Sequence, residues 1–322
     1  MSSAVYLKLI AIFFVVSIGW GAGRMRFFGG GEAARVLSNT TFYLFAPALL
    51  FRTTARIDFE RLPWSTVLAY FLPVVALMLA VYVHQRRRRI EAPAGPSVRA
   101  ITATFSNTVQ LGIPIAAALF GEAGLSVHLA VVSLHALTLL SVVTVLVELD
   151  LARAAQGQAR RSLAATLATT VRNTVIHPVV LPVLLGLLWN VSGWPIPEAV
   201  DEILVMLGQA VVPACLIAIG MSLAHYGIRG SLGAATVLSA LKLVVQPALV
   251  LAVGHFGFGL TGVPLAAIVM CAALPAGTNS MMFSQRYATR EAEVTSTLVI
   301  STLAFVVTAP LWVTLLGWLG AG

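Results

Sequence analysis

The stretch Asn107-Thr108-Val109-Gln110-Leu111-Gly112-Ile113-Pro114 sits inside an apolar run long enough to cross a bilayer. Proline has no N–H to donate and its ring crowds the preceding turn, so a helix here is expected to break near Pro114. Backbone groups freed within hydrocarbon are tolerated only where they face protein or a water-filled cavity. Asn107, Thr108 and Gln110 bring further polar groups to the same depth. Far downstream, Leu274-Pro275-Ala276-Gly277-Thr278-Asn279 interrupts another apolar run. Two Gly/Pro-broken spans in corresponding halves are a sequence pointer to a transporter's binding site.

Composition sets the class. Of 322 residues, 59% are hydrophobic and only 10% charged, and mean hydropathy is +0.93. Soluble domains carry about 25% charged residues, so the chain reads as an all-α integral membrane protein. At about 20 residues per span, there is room for about ten helices. They are expected near 4–23, 36–55, 63–84, 99–120, 126–148, 173–192, 199–224, 232–256, 263–284 and 294–318. Residues 4–23 have no charged leader and are followed by Arg24 and Arg26, so they are expected to span rather than act as a cleaved signal. A net charge of +8 invites a nucleic-acid reading, but the arginines lie between apolar runs rather than in a patch. Cys215 and Cys271 fall within apolar spans and read as small buried hydrophobes.

The arginines carry topology instead. With the N-terminus outside, the inner loops hold Arg24, Arg26 and Arg35, then Arg86 to Arg89 and Arg99. The mid-chain loop adds Arg153, Arg160, Arg161 and Arg172, and Arg229, Arg286 and Arg290 follow. The outer loops hold Arg52, Arg56 and Arg61, partly balanced by Asp58 and Glu60. Both termini are therefore expected on the extracytoplasmic side of the inner (plasma) membrane.

The loop at 149–172, expected to be a cytoplasmic linker, separates five spans (4–148) from five (173–318). Pro47 in the second span is echoed by Pro213 in the seventh, Pro73 by Pro247, and Pro114 by Pro275. An odd number of spans per half inserts the second half upside down, making an inverted repeat whose broken fourth and ninth helices are symmetry mates.

The same residues resemble the auxin efflux carrier family, which includes plant auxin carriers and many bacterial members. The specific parts are Asn107 to Gly121 (N-T-V-Q-L-G-I-P-I-A-A-A-L-F-G) and the stretch A-A-L-P-A-G-T-N-S-M-M-F-S-Q-R-Y. V-E-L-D-L, F-A-P-A-L-L-F with Asn39, and T-A-P-L-W-V-T-L-L extend the likeness over nearly the whole chain. The resemblance implies a ten-helix fold related to bile acid sodium symporters. Helices 1, 2, 6 and 7 would form a scaffold that often dimerises. Helices 3–5 and 8–10 would form a moving transport domain, with substrate at the crossing of helices 4 and 9. It also implies organic anion substrates: indole acetate in plants, malonate or malate in some bacteria. The large hydrophilic loop that many plant carriers insert between helices 5 and 6 is missing here, so regulation through it does not carry over.

The chemistry of a broken helix suits an anion. Its second half presents unsatisfied N–H groups and a partial positive charge, expected around Ile113 to Ile115 and Gly277 to Ser280. Two such ends make an anion site without a fixed cation. The candidate substrate contacts are Asn107, Thr108, Gln110, Ile113, Pro114, His135, Pro275, Gly277, Thr278 and Asn279. Asn107 and Asn279 supply amides, and the alternative is that these polar groups only satisfy broken backbone. By resemblance His135 matches a glutamine near the substrate in plant carriers. An imidazole can bind an anion or titrate near neutral pH, or simply bridge helices. Lys242 can attract a carboxylate, pair within the bundle or snorkel to an interface. His177, before Pro178, reads as structural.

No Asp or Glu is expected at mid-depth, which argues against a carboxylate proton relay. Sodium held by carbonyls and amides at the breaks, proton coupling through His135, and uniport all stay open. No G-x-S-x-G, H-E-x-x-H or P-loop signature favours an enzyme, and no cofactor, metal or nucleic acid is expected. The expected function is secondary-type transport of small carboxylates by an elevator-like mechanism. The alternatives are a sodium-coupled symporter of a bile-acid-symporter-like substrate, and a channel.

Overall fold

Apolar segments in hydrocarbon must satisfy their backbone groups internally, which leaves the helix as the element a single segment can form. The computed structural model describes residues 3–25, 29, 31–56, 64–88, 92–154, 180–225 and 232–319. Among them the elements are helical, joined by short turns, and a lone antiparallel bridge links Ser106 to Ala276. In chain order the α-helices are α1 (Ser3–Arg24), α2 (Gly31–Thr40), α3 (Ala46–Ala55), α4 (Trp64–Arg87) and α5 (Gly95–Thr104). Next come α6 (Ile113–Ala154), α7 (Val180–Ser192), α8 (Glu198–Gln209), α9 (Val211–His225) and α10 (Leu232–Ala240). The last are α11 (Gln246–Ala252), α12 (Gly262–Ala273), α13 (Asn279–Arg286) and α14 (Glu291–Trp318).

Among the described residues, five helical stretches, two of them interrupted by a kink or turn, are long and apolar enough to cross a membrane: Trp64–Arg87, Thr108–Leu151, Glu198–His225, Leu232–Gly257 and Glu291–Trp318. Shorter apolar helices cover Ile10–Arg24 and Gly262–Ala273. Most of the mid-chain loop, with Arg160, Arg161, Arg172, His177 and Pro178, lies outside the described residues, as do Asp58, Glu60 and Arg61.

The prolines behave differently from the expectation of a break at Pro114. Pro47, Pro114 and Pro247 each occupy the second position of an α-helix that follows a five-residue π turn. Those turns are Thr41–Phe45, Thr108–Gly112 and Leu241–Val245. A proline ring displaces the carbonyl four residues back, and a wider turn accommodates the displacement while the chain stays helical. The true interruption lies upstream, at Phe105 (φ −78°, ψ 113°) through Asn107 (ψ 65°). In the second broken span Pro275 does sit in the gap. Leu274 before it is extended (ψ 150°), as a residue preceding proline prefers.

A straight helix from 108 to 151 would measure about 66 Å, roughly twice the hydrocarbon thickness. Gly121 prevents that with φ 62° and ψ −155°, a conformation suited to glycine. The chain then folds back: Leu129 and Val132 pack with Val109 and Ile113, and His128 reaches the Thr108 carbonyl. This hairpin carries two histidines of α6 to the crossover.

Two sets of helices pack mainly among themselves. In one set, α1 lies along α9, while α3 lies against α7 and α8. Gly19 and Gly220 let α1 and α9 approach closely: a Cβ on Gly220 would stand 2.0 Å from the Val16 carbonyl oxygen. Arg52 grips Asp201 with two bonds (2.7 and 3.1 Å) and Arg56 joins at 2.8 Å, so α3 and α8 are tied by charge. In the other set, α4 packs on α5, α6 on α12, α10 on α14, and α11 on α4 and α12. Arg99 clamps Glu293 at 2.6 and 2.8 Å and also reaches Gln85, tying the ends of α4, α5 and α14.

Candidate functional site

The two interruptions meet as a miniature antiparallel ladder. The Asn107 N–H donates to the Pro275 carbonyl (2.9 Å), and the Gly277 N–H donates to the Phe105 carbonyl (2.8 Å). Glycine is needed at 277, because a Cβ there would lie 2.8 Å from both the Phe105 ring and the Ser106 carbonyl oxygen. The Ala276 N–H donates to Ser301 Oγ of α14 (3.2 Å). The backbone freed by the breaks is thus largely satisfied by protein.

Histidines hold the first break from one side. The Ser106 N–H donates to His135 Nε2 (3.2 Å), which puts the neutral ring's proton on Nδ1, facing the Tyr70 hydroxyl at 3.3 Å. The ring lies edge-on to Phe105, with centroids 4.5 Å apart. His128 donates from Nε2 to the Thr108 carbonyl (2.8 Å). His135 therefore spends both nitrogens on framework and lines the site with its ring.

Polar side chains of a neighbouring helical stretch hold the opposite ends. Lys242, in the π turn before α11, donates from Nζ to the Ala272 carbonyl (2.6 Å) at the end of α12. Gln246 donates from Nε2 to the Thr104 carbonyl (3.1 Å) at the end of α5. Both are fully buried, so Lys242 does not snorkel.

Between the breaks lies a crevice with a free volume of about 20 Å³, lined by Phe105, Ser106, Thr108, Val109, Val132, His135, Ala136, Thr278 and Asn279. That volume suits a water-sized group. Of the predicted contacts, Thr108, His135, Thr278 and Asn279 line it. Thr278 is exposed and forms its rim, whereas Asn279 is buried with no partner for Oδ1. Asn107 is half-buried, and its amide lies 3.5 Å from Gln110 Oε1. Pro275 and Gly277 build the ladder. Ile113 and Pro114 are buried and do not line the crevice, and Ile113 belongs to a buried apolar cluster with Ala46, Leu50, Val211 and Cys215. The first amide-rich helix start lies at Thr108 to Leu111, a turn earlier than the expected Ile113 to Ile115, while the second begins at Asn279.

Sequence reasoning missed His128 and Gln246. His128 lies seven residues before His135, the spacing that puts two side chains on one helix face. Gln246 lies one turn after Lys242. Those spacings were the available signals. Cys215 and Cys271 are both free and buried.

Comparison with known proteins follows the same outline. Residues 4–313 match the membrane transport protein family. The chain is 24% identical over 289 residues to an "Uncharacterized transporter" of Methanothermobacter thermautotrophicus, covering 88% of this chain and 89% of that protein. It is 23% identical over 282 residues to a "Putative malonate transporter" of Rhizobium meliloti, covering 86% and 85%. It is 26% identical over 314 residues to the "Uncharacterized transporter YfdV" of Escherichia coli strain K12, covering 95% of each. The chain is a multi-pass membrane transporter, not an enzyme, and belongs to the membrane transport protein family, that of the auxin efflux carriers.

Proposed function

We propose that the chain is a secondary-type carrier of small organic anions, binding a carboxylate at the crossover of its two broken helices. The observation that carries this reading is the pairing of the breaks. It turns two helix starts, Thr108 to Leu111 and Asn279 onward, toward one crevice whose described lining contains no carboxylate. Helix starts favour anions through their partial positive charge; the Thr108 N–H is already donated to the Ser106 carbonyl, and those of Ser280, Met281 and Met282 to Gly277 and Thr278, so the field of the helix ends supplies the attraction. Thr108, Thr278 and Asn279 act as contacts in the crevice, and Asn107 and Gln110 stand beside it.

In this reading the fold is ten membrane helices in two inverted repeats. The set α1–α3 with α7–α9 is a scaffold that pairs with a second copy, and the set α4–α6 with α10–α14 moves as a transport domain. The separate packing of the two sets supports this division. The crevice is narrow, which suits a carrier that opens and closes better than a standing channel. The name of the Rhizobium relative places malonate first in the substrate panel.

Proteoliposomes test the proposal. Labelled malonate or malate uptake is expected to saturate and to accelerate with unlabelled substrate inside. Asn107→Ala and Asn279→Ala are expected to weaken it while the thermal midpoint stays near wild type. Normal uptake by both variants puts the site elsewhere, and non-saturating conductance makes the chain a channel.

A further inference from the structure

A membrane helix shows lipid the residues of one face, three or four apart, and keeps its other face for protein. On α4 the inward face carries Tyr70, Val74, Met78 and Val81, all buried. The outward face reads Leu68, Leu72, Ala76, Leu79, Val83 and Arg87, all exposed, so an unbroken apolar stripe ends on a guanidinium. From Leu68 to Arg87 the stripe measures roughly 29 Å, close to the thickness of a bilayer's hydrocarbon. Trp64, exposed at the start of the helix, marks the opposite headgroup level. Arg87 therefore stands at headgroup depth, directly beyond the lipid-facing side chains.

The acids bonded into this end of α4 are taken by internal partners. Asp150 accepts from the Tyr82 hydroxyl (2.8 Å) and faces Arg86 (3.4 Å). Glu293 is held by Arg99, which also reaches Gln85, and by Arg290. Arg86 is thus turned into protein, whereas Arg87 and Arg88 are exposed and form no ion pair with a described residue. Arg89 and Glu91 follow outside the described residues. We propose that Arg87 and Arg88 bind an anionic phospholipid, whose acyl chain lies along Leu72, Ala76, Leu79 and Val83 and whose phosphate meets the two guanidinium groups. The planar fork of arginine matches phosphate oxygens, and each basic residue at the membrane surface strengthens the hold on anionic headgroups about fivefold. A free phosphate ion leaves the stripe unused, so the continuous stripe selects a lipid. The same helix brings the Tyr70 hydroxyl to His135 at the crossover (3.3 Å), so a headgroup holding the end of α4 steadies the framework of the site. The proposal rests on membrane embedding and does not depend on what is carried.

Thermal midpoints of the protein in nanodiscs test this, in phosphatidylcholine alone and in an equal mixture with phosphatidylglycerol. Phosphatidylglycerol is expected to raise the wild-type midpoint by several degrees, as a ligand of the folded state does, and molar salt to remove the rise. Arg87→Gln/Arg88→Gln is expected to match wild type in phosphatidylcholine and to lose most of the rise, with phosphatidylglycerol bound about thirtyfold more weakly. Arg35→Gln, at an exposed arginine of α2, is expected to keep the rise. No rise in wild type, or an equal rise in the double variant, overturns the proposal. An equal rise from inorganic phosphate in phosphatidylcholine also overturns it, since the acyl chain then contributes nothing. Should the double variant not fold, native mass spectrometry of wild type and Arg87→Gln decides. Wild type is expected to retain phosphatidylglycerol in preference to phosphatidylcholine and Arg87→Gln to lose part of that preference, and equal retention by the two overturns the proposal.

Discussion

Replacing Gly277 with Ala places a methyl group where the two breaks touch. The new Cβ would stand 2.8 Å from Phe105 Cδ1, 2.8 Å from the Ser106 carbonyl oxygen and 3.0 Å from its carbon. The ring can turn aside. The carbonyl is backbone, so the two segments must separate, and separation strains the bonds from Gly277 N–H to Phe105 and from Asn107 N–H to Pro275. Overpacking a filled interior costs about 1–3 kcal/mol, and leaving one buried partner unpaired adds about 1–3 kcal/mol. With partial relaxation, the expected loss is roughly 2–4 kcal/mol. The assay is the thermal unfolding midpoint of purified protein, with Gly233→Ala beside it. Gly233 is helical with nothing within 4 Å of its added Cβ, so alanine there is expected to be neutral or to stabilise by up to about 1 kcal/mol. Gly277→Ala is expected to lower the midpoint by several degrees, and adding Phe105→Leu is not expected to restore it. A midpoint unchanged for Gly277→Ala would show that the paired breaks do not hold the crossover, and the reasoning would fail.

Four further changes probe other joints. Gly220→Ala is expected to cost about 1–3 kcal/mol, read as a lower unfolding midpoint, because its Cβ would fall 2.0 Å from the Val16 oxygen. Arg99→Gln is expected to cost about 1–3 kcal/mol in the same measurement, below the usual figure for a broken buried pair, since Glu293 keeps Arg290 at 3.0 Å. Pro114→Ala is expected to change stability by less than about 1 kcal/mol and to leave uptake intact, because the interruption lies at 105–107. Ile113→Cys, bridged to the native Cys215 by mercury in a Cys271→Ser background, is expected to stop uptake until thiol is added; a bridged protein that still transports refutes the moving-domain reading.

The class and the two interrupted spans were legible because they depend on local chemistry. A chain with 10% charged residues and long apolar runs has few alternatives to membrane helices. The ladder between the breaks was not legible, because which N–H meets which carbonyl depends on contacts across about 170 residues of chain. Pro114 was misread for a local reason: a proline near a helix start can be absorbed by a widened turn, and the sequence does not distinguish widening from rupture. His135, expected as a substrate contact, lies beside the crossover with bonds to Ser106 and Tyr70 that make it framework, which only the geometry shows. Lys242 had three readings from sequence. Its burial removes the interfacial one, and its bond to Ala272 favours pairing within the bundle.

The bonds around the crossover also bear on how it could move. Its hydrogen bonds described above run to Tyr70 and His135, to His128, to Lys242 and Gln246, and to Ser301. These residues belong to α4, α6, α11 with its preceding turn, and α14, all within one packing set. Toward the other set, contact is made by Val109, Ile113, Leu129 and Val132 against Ala46, Leu50, Val211 and Cys215. Hydrogen bonds require fixed donor–acceptor geometry, whereas apolar side chains exchange neighbours at little directional cost. A crossover bonded inside its own set and greased against the other is what a rigid-body shift demands. On the carrier reading proposed above, the polar framework would carry the site, and Thr278 and Asn279, at the crevice, would meet what is carried.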